Sequence, residues 1–223
     1  MHHETYIAID TAYELGMVVV FNKDGILFER ALPSKLDHAK DISGAIALAL
    51  DFCQSNDLEL AGFFCGLGPG SFVGVRIALS TALGFCTASD MPLMGFCSHR
   101  ALVRSKNDCA IFMKASGDLG YLTCFSVKEL VKIKTPSQVV ALSDVKDKVL
   151  GLELFSDQAE KFDFFAQKIT GPTALGIYEA CMENLPGFVD QKSFIKPNYV
   201  KPPSVTPPKN LSEVFVVPGA NIF

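Results

Sequence analysis

A strand-like run that ends in a glycine turn and passes straight into a long apolar helix constrains this chain more than any other feature. Residues 60–65 are almost wholly apolar, as a strand covered on both faces would be. The turn Gly66-Leu67-Gly68-Pro69-Gly70-Ser71 follows. Helical spacing then runs from 72 to 88, with Ser71 placed to cap it. Free backbone N–H groups at such a junction can hold an anion. The same glycines also serve simply to turn a strand into a closely packed helix, and both readings stand at this point.

On the helix, Gly74, Ala78 and Ala82 fall four residues apart and form a stripe without bulky side chains. Phe72, Val75, Leu79, Leu83 and Phe85 cover much of the remainder. Two faces of one helix can therefore be buried, one on its own sheet and one against something that approaches closely.

The flanking segments complete a lobe. Residues 6–10, 16–21 and 26–32 read as strands, the last two joined at the turn signal Asn22-Lys23-Asp24-Gly25. Ile42, Ala45, Ile46, Ala49, Leu50 and Cys53 recur at helical spacing over 36–52, with Ser34 or Asp37 as candidate caps. A strand is expected over 92–96 and a short helix over 98–105. A second meander follows, with strands over 110–115 and 120–127 and a third candidate over 130–134. A strand over 149–155 and a helix over 173–185 complete the second half. Two α/β lobes result, 1–100 and 101–196, followed by an extended proline-rich tail, 197–223. The repeated meander raises an internal duplication as a matter of topology.

Composition narrows the function classes. With 223 residues, 49% hydrophobic and 20% charged, the chain can bury a sizeable core. A formal charge of −4 provides no field to neutralise phosphates, so the chain alone is a poor ligand for tRNA. Seven cysteines with no C-x-x-C pair read as buried, reduced thiols in a cytoplasmic protein. The N-terminal residues, His2 and His3 among them, show no secretion signal, and no stretch reads as a membrane span.

Three phosphate or nucleophile motifs fail at the glycine turn. A Walker loop needs lysine after the second glycine, and Ser71-Phe72 stands there. The dinucleotide fingerprint needs a glycine where Ser71 lies, and the nucleophile elbow needs glycines at Pro69 and Val73. Asp10 and Thr11 end the first strand, where an acid and a hydroxyl can hold Mg²⁺ and phosphate, although turn stabilisation is the commoner use. At the comparable place in the second half stands Lys114, within Met113-Lys114-Ala115-Ser116. The histidines, including His38 and His99, form no metal-ligand pattern, so neither a metal nor a cofactor is expected.

Ile7-Ala8-Ile9-Asp10-Thr11-Ala12 resembles the opening strand of the TsaB (YeaZ) family. Residues 68–77, Gly-Pro-Gly-Ser-Phe-Val-Gly-Val-Arg-Ile, resemble its signature turn and helix, with Val73 in place of the usual threonine. The helix bearing His38 and the segment around Pro197 and Tyr199 also agree. This resemblance implies an actin-like, sugar-kinase-like (ASKHA, ribonuclease H-like) fold of two related lobes. It implies a non-catalytic subunit that supports the paralogue TsaD in threonylcarbamoyl transfer to tRNA, together with the ATPase TsaE, with tRNA reached only through the complex. By the same resemblance the first two helices dock TsaD or form a homodimer. Phe72, Gly74, Val75, Arg76, Ala78, Leu79, Ala82, His38, Ile42 and Ile46 are then the partner-binding residues, and Arg76 the group that meets a partner carboxylate or backbone. Gly66, Gly68, Pro69, Gly70 and Ser71 are the structural turn, and Asp10 and Thr11 a vestigial nucleotide site. On this reading Gly74→Leu or Ala78→Glu abolishes docking and leaves the monomer folded. An autonomous ATPase or small-molecule kinase of the same fold is the alternative. A peptidase lacks both nucleophile geometry and metal ligands.

Overall fold

The computed structural model of the chain describes residues 4–32, 38–128 and 130–200. The candidate caps Ser34 and Asp37, the terminal His2 and His3, and the tail beyond residue 200 lie outside them, as does the side chain of His38.

Apolar residues crowd β1 (Thr5–Asp10), β2 (Gly16–Asn22) and β4 (Leu60–Gly66), and these strands form the middle of the first sheet. With β3 (Gly25–Leu32) and β5 (Leu93–Phe96) at its edges, the order is β3-β2-β1-β4-β5. The meander β1-β2-β3 is antiparallel, while β4 and β5 add in parallel. Strand alternation sends Ile7 and Ile9 of β1 to one face and Tyr6 and Ala8 to the other. Both faces must therefore be covered.

Helices α1 (His38–Ser55) and α2 (Phe72–Ala88) cover the first face, where Ile42, Ala45, Ile46, Ala78, Leu79 and Ala82 join one cluster with Ile7, Ile9 and Phe63. The opposite face is covered from far along the chain. Helix α4 (Ala174–Asn184), capped by Thr173, sets Ile177, Ala180 and Cys181 on Ala8, Val19, Phe21 and Phe64. Residues 190–199 also return to this lobe and close its open edge. Gln191 N–H donates to Leu93 O at 2.8 Å, and Gly95 N–H donates to Gln191 Oε1 at 3.1 Å. Lys192 Nζ donates to Met91 O at 2.8 Å and Cys86 O at 3.4 Å, which satisfies a carbonyl at the end of α2. Residues 174–196, assigned by sequence to the second lobe, thus pack on the first. A division of the chain at residue 100 leaves half of the first core uncovered.

The second sheet has the order β10-β9-β6-β7-β8, built from β6 (Cys109–Ser116), β7 (Leu119–Val127), β8 (Val131–Ala141), β9 (Glu153–Ser156) and β10 (Gln167–Lys168). Counted within the lobe, the order is again third, second, first, fourth, fifth, with the same parallel and antiparallel relations. The suspected duplication is present as topology.

Three local expectations are corrected. β8 runs to Ala141 rather than stopping at residue 134, because Pro136 lies on an edge strand, where no ladder donor is needed, and the pairing shifts beside it. Residues 149–152 are not strand; they close the short helix α3 (Val145–Lys148), with Val149 N–H donating to Val145 O. The helix expected over 98–105 is a single 3₁₀ turn, Arg100–Leu102, wedged under α4. No helix among the described residues is long and apolar enough to cross a membrane.

Candidate functional site

The glycine turn is bolted to the loop after β1. Ser71 N–H donates to Ala12 O at 2.7 Å, the Thr11 hydroxyl to Gly74 O at 2.7 Å, and the Tyr13 hydroxyl to Pro69 O at 3.0 Å. On its other side Gly68 N–H donates to Ser98 Oγ, and Ser98 N–H returns to Gly68 O. The Gly68–Pro69 peptide is cis. Glycine is required here for close approach: a Cβ on Gly66 would stand 2.5 Å from the Asp10 carboxyl carbon, and one on Gly74 would overlap the Thr11 carbonyl. Ser71 caps α2, accepting from Gly74 N–H at 3.2 Å. Of the two readings of the turn, these contacts support close packing.

The small-residue stripe of α2 points inward. Gly74, Ala78 and Ala82 are buried under the chain's own sheet and the loop after β1, so the face expected to admit a partner backbone is already filled. Ile42 and Ile46 are buried in the same core, and Val75 enters the cluster that joins the lobes, with Leu102, Ile111 and Phe155. This corrects the expected docking role of Gly74, Val75, Ala78, Ala82, Ile42 and Ile46. A stripe of small residues marks close packing without saying against what, and here the strand-turn backbone supplies the neighbour.

The outward side of α2 has its own stripe. Val73 is 63% exposed, and with Phe72, Arg76, Ile77, Ser80 and Leu83 it lines an open groove floored by Leu79 and walled by Pro197 and Tyr199. Beside it, α1 exposes Gly44, Ala47 and Leu48, and a Cβ added to Gly44 or Gly84 would meet nothing within 4 Å. Arg76 lies 3.9 Å above the Phe72 ring and donates from Nε to the Tyr199 hydroxyl at 2.8 Å. No carboxylate pairs with Arg76 among the described residues.

Between the lobes lies a cleft of about 570 Å³, lined by Ser71, Phe72 and Glu14 from one side and by Lys114, Ser116, Tyr121, Asp157 and Lys168 from the other. Lys114 N–H donates to Asp157 Oδ1 at 2.9 Å, and burial raises the Asp157 carboxyl. Asp10 and Thr11 do not line it; both are wholly buried. Asp10 Oδ1 accepts from Ala12 N–H at 2.9 Å, and Oδ2 has no partner among the described residues. Burial pushes this carboxyl up to about 6, against the Ala12 hydrogen bond and the nearby Ser98 hydroxyl, which favour its charged form. His99 is equally buried: Nδ1 meets Thr123 Oγ1 at 2.6 Å, Nε2 has no partner among the described residues, and burial lowers its pKa to about 3. No group of three or more histidine, cysteine or acidic side chains among the described residues is placed to hold a metal.

The model of the family described as TsaD, tRNA N6-adenosine threonylcarbamoyltransferase, matches residues 26–145, more than half of the chain. The chain belongs to this family. Among solved structures it is similar to YeaZ from Pseudomonas aeruginosa, with 17% identity, 88% of this chain and 99% of that one covered, and a TM-score of 0.72. A second structure from the same organism, of an uncharacterised protein with similarity to the peptidase YeaZ, gives 17% identity, coverage of 89% and 100%, and a TM-score of 0.74. No curated protein matches the sequence. At this identity the structural likeness is one of fold. The chain is a member of the TsaD family whose two α/β lobes share the fold of YeaZ.

Against that family background, Phe72, Arg76 and Leu79 are the expected partner-binding residues that border the open groove, while the side chain of His38 lies outside the described residues. Val73, Ile77, Ser80 and Leu83 were missed. Their signal was present: the 4–3–3 spacing of 73, 77, 80 and 83 forms a second, mostly apolar stripe on a helix that is apolar around most of its circumference.

Proposed function

We propose that this chain is a non-catalytic scaffold subunit that binds a catalytic TsaD-type chain and supports threonylcarbamoyl transfer to the tRNA adenosine next to the anticodon. The observation that carries the proposal is the outer face of α2, where Val73 and its neighbours form an apolar groove open to solvent. Contiguous exposed apolar surface of this kind marks interaction sites. The thin outer faces around Gly44 and Gly84 suit close helix-on-helix docking, against the catalytic chain or against a second copy. A non-catalytic role is supported by the burial of Asp10 and Thr11, whose polar groups serve the turn, and by Lys114 in the second lobe where an acid would be wanted. With a formal charge of −4 the chain reaches tRNA through the complex, in which TsaE is the third protein.

The test is co-purification with the TsaD-type chain of the same organism. Val73→Arg and Ser80→Arg on the exposed side should abolish capture while circular dichroism and melting stay as in the wild type; unchanged capture would sink the proposal. Gly74→Leu and Ala78→Glu no longer serve, because both positions belong to the core.

The interlobe cleft favours a second reading, an autonomous ATPase or small-molecule kinase. Calorimetric titration of the isolated chain with Mg-ATP, followed by a turnover assay, separates the two: heat and turnover support the enzyme, their absence the scaffold.

A further inference from the structure

We infer that residues 190–199 form part of the docking face, with Tyr199 holding Arg76 so that the rest of its guanidinium is presented to a carboxylate on an aliphatic ridge of the partner. This rests on the scaffold reading and adds to it the chemistry of the partner surface and a positioning residue.

Among the described residues Arg76 is the only charged side chain lining the groove; the remaining lining residues are apolar or carry hydroxyls. Its guanidinium is oriented by its neighbours. Phe72 lies beneath it at 3.9 Å, the Tyr199 ring centroid is 5.8 Å away, and the two rings pack at 5.0 Å between centroids. The Tyr199 hydroxyl takes Nε at 2.8 Å, leaving both terminal nitrogens for another acceptor. A planar, oriented guanidinium whose two terminal nitrogens form one open edge fits a carboxylate, which it can bind through parallel hydrogen bonds. Orienting the side chain beforehand also removes rotamer entropy that docking would otherwise have to overcome.

The wall that carries Tyr199 is anchored independently of it. Asn198 N–H donates to Leu67 O at 2.7 Å, Ile195 packs into the core under α2, and Gln191 and Lys192 are tied to β5 and the end of α2. Loss of the Tyr199 hydroxyl therefore releases Arg76 without releasing the wall.

The experiment measures the affinity of the full chain for the TsaD-type chain of the same organism, at several salt concentrations, with melting temperature as the fold control. Tyr199→Phe keeps the ring and removes the hydroxyl; it should weaken binding about fivefold, the effect of one lost hydrogen bond, with melting unchanged. Arg76→Ala should weaken binding at least about tenfold and flatten the salt dependence, and Arg76→Lys should not restore it. In the Arg76→Ala background, Tyr199→Phe should have no further effect. Full affinity in Tyr199→Phe, together with loss of binding in Val73→Arg, would overturn the positioning role and leave the docking face standing. Full affinity in both variants would overturn the docking face itself. If both variants dissociate only a homodimer of this chain and leave capture of the TsaD-type chain intact, the face serves self-association and the inference falls.

Discussion

Two side chains at the junction of the lobes carry opposite pH dependences. Asp10 holds its proton more tightly folded (about 6) than unfolded, so its contribution to stability is full below about pH 4 and declines as pH rises through 6. His99, lowered to about 3, does the reverse: its contribution is present above about pH 6.5 and is lost as pH falls toward 3. Between about pH 4 and 6 the two contributions oppose each other. Asp10→Asn removes one of them. This variant should melt higher than wild type at pH 7.5, by up to about 3 kcal/mol of stability for a shift of about two units. The difference should fade toward pH 4, and melting curves across that range check it; a pH-independent difference would contradict it. The sequence made Asp10 legible as a polar residue at a strand end. Its burial was not legible, because it depends on Gly66 lying directly against the carboxylate.

At the scale of elements, α2 is apolar on nearly every side, and its two stripes have opposite roles. Periodicity alone cannot rank two apolar faces of one helix, because spacing records direction around the axis and not what lies in that direction. The inner stripe gives a clear outcome: Gly74→Leu drives a side chain into the Thr11 carbonyl and should cost about 3 kcal/mol or more, read as a lower midpoint in urea denaturation. Val73→Arg, on a residue 63% exposed, should move the same midpoint by no more than about 0.5 kcal/mol. Strand and helix identities were legible in most places, since apolar alternation, the Asn22–Gly25 turn and the Ser71 cap are local signals. The shortest elements were not. β10 has two residues and exists only because β9 offers it an edge, and the turn at Arg100–Leu102 is set by α4 above it.

For the whole molecule, the return of α4 and residues 190–199 to the first sheet makes the lobes interdependent. A chain ending at residue 105 keeps the first five strands but leaves Tyr6, Ala8, Val19, Phe21 and Phe64 without their cover. Such a fragment should bind a hydrophobic dye and lose near-ultraviolet dichroism, while the chain ending at residue 200 should not; a well-packed fragment would count against this account. Taken by itself, the sequence determined the order and type of the longer elements, the two meanders, the glycine turn and the family, because these rest on patterns among residues close in the chain. Tertiary structure alone decided which face of α2 is free, that Asp10 and Thr11 are sealed inside, and that residues 174–199 complete the first lobe. Those outcomes depend on contacts between residues 60 to more than 100 positions apart, such as Thr11 with Gly74 and Arg76 with Tyr199. No local pattern encodes them.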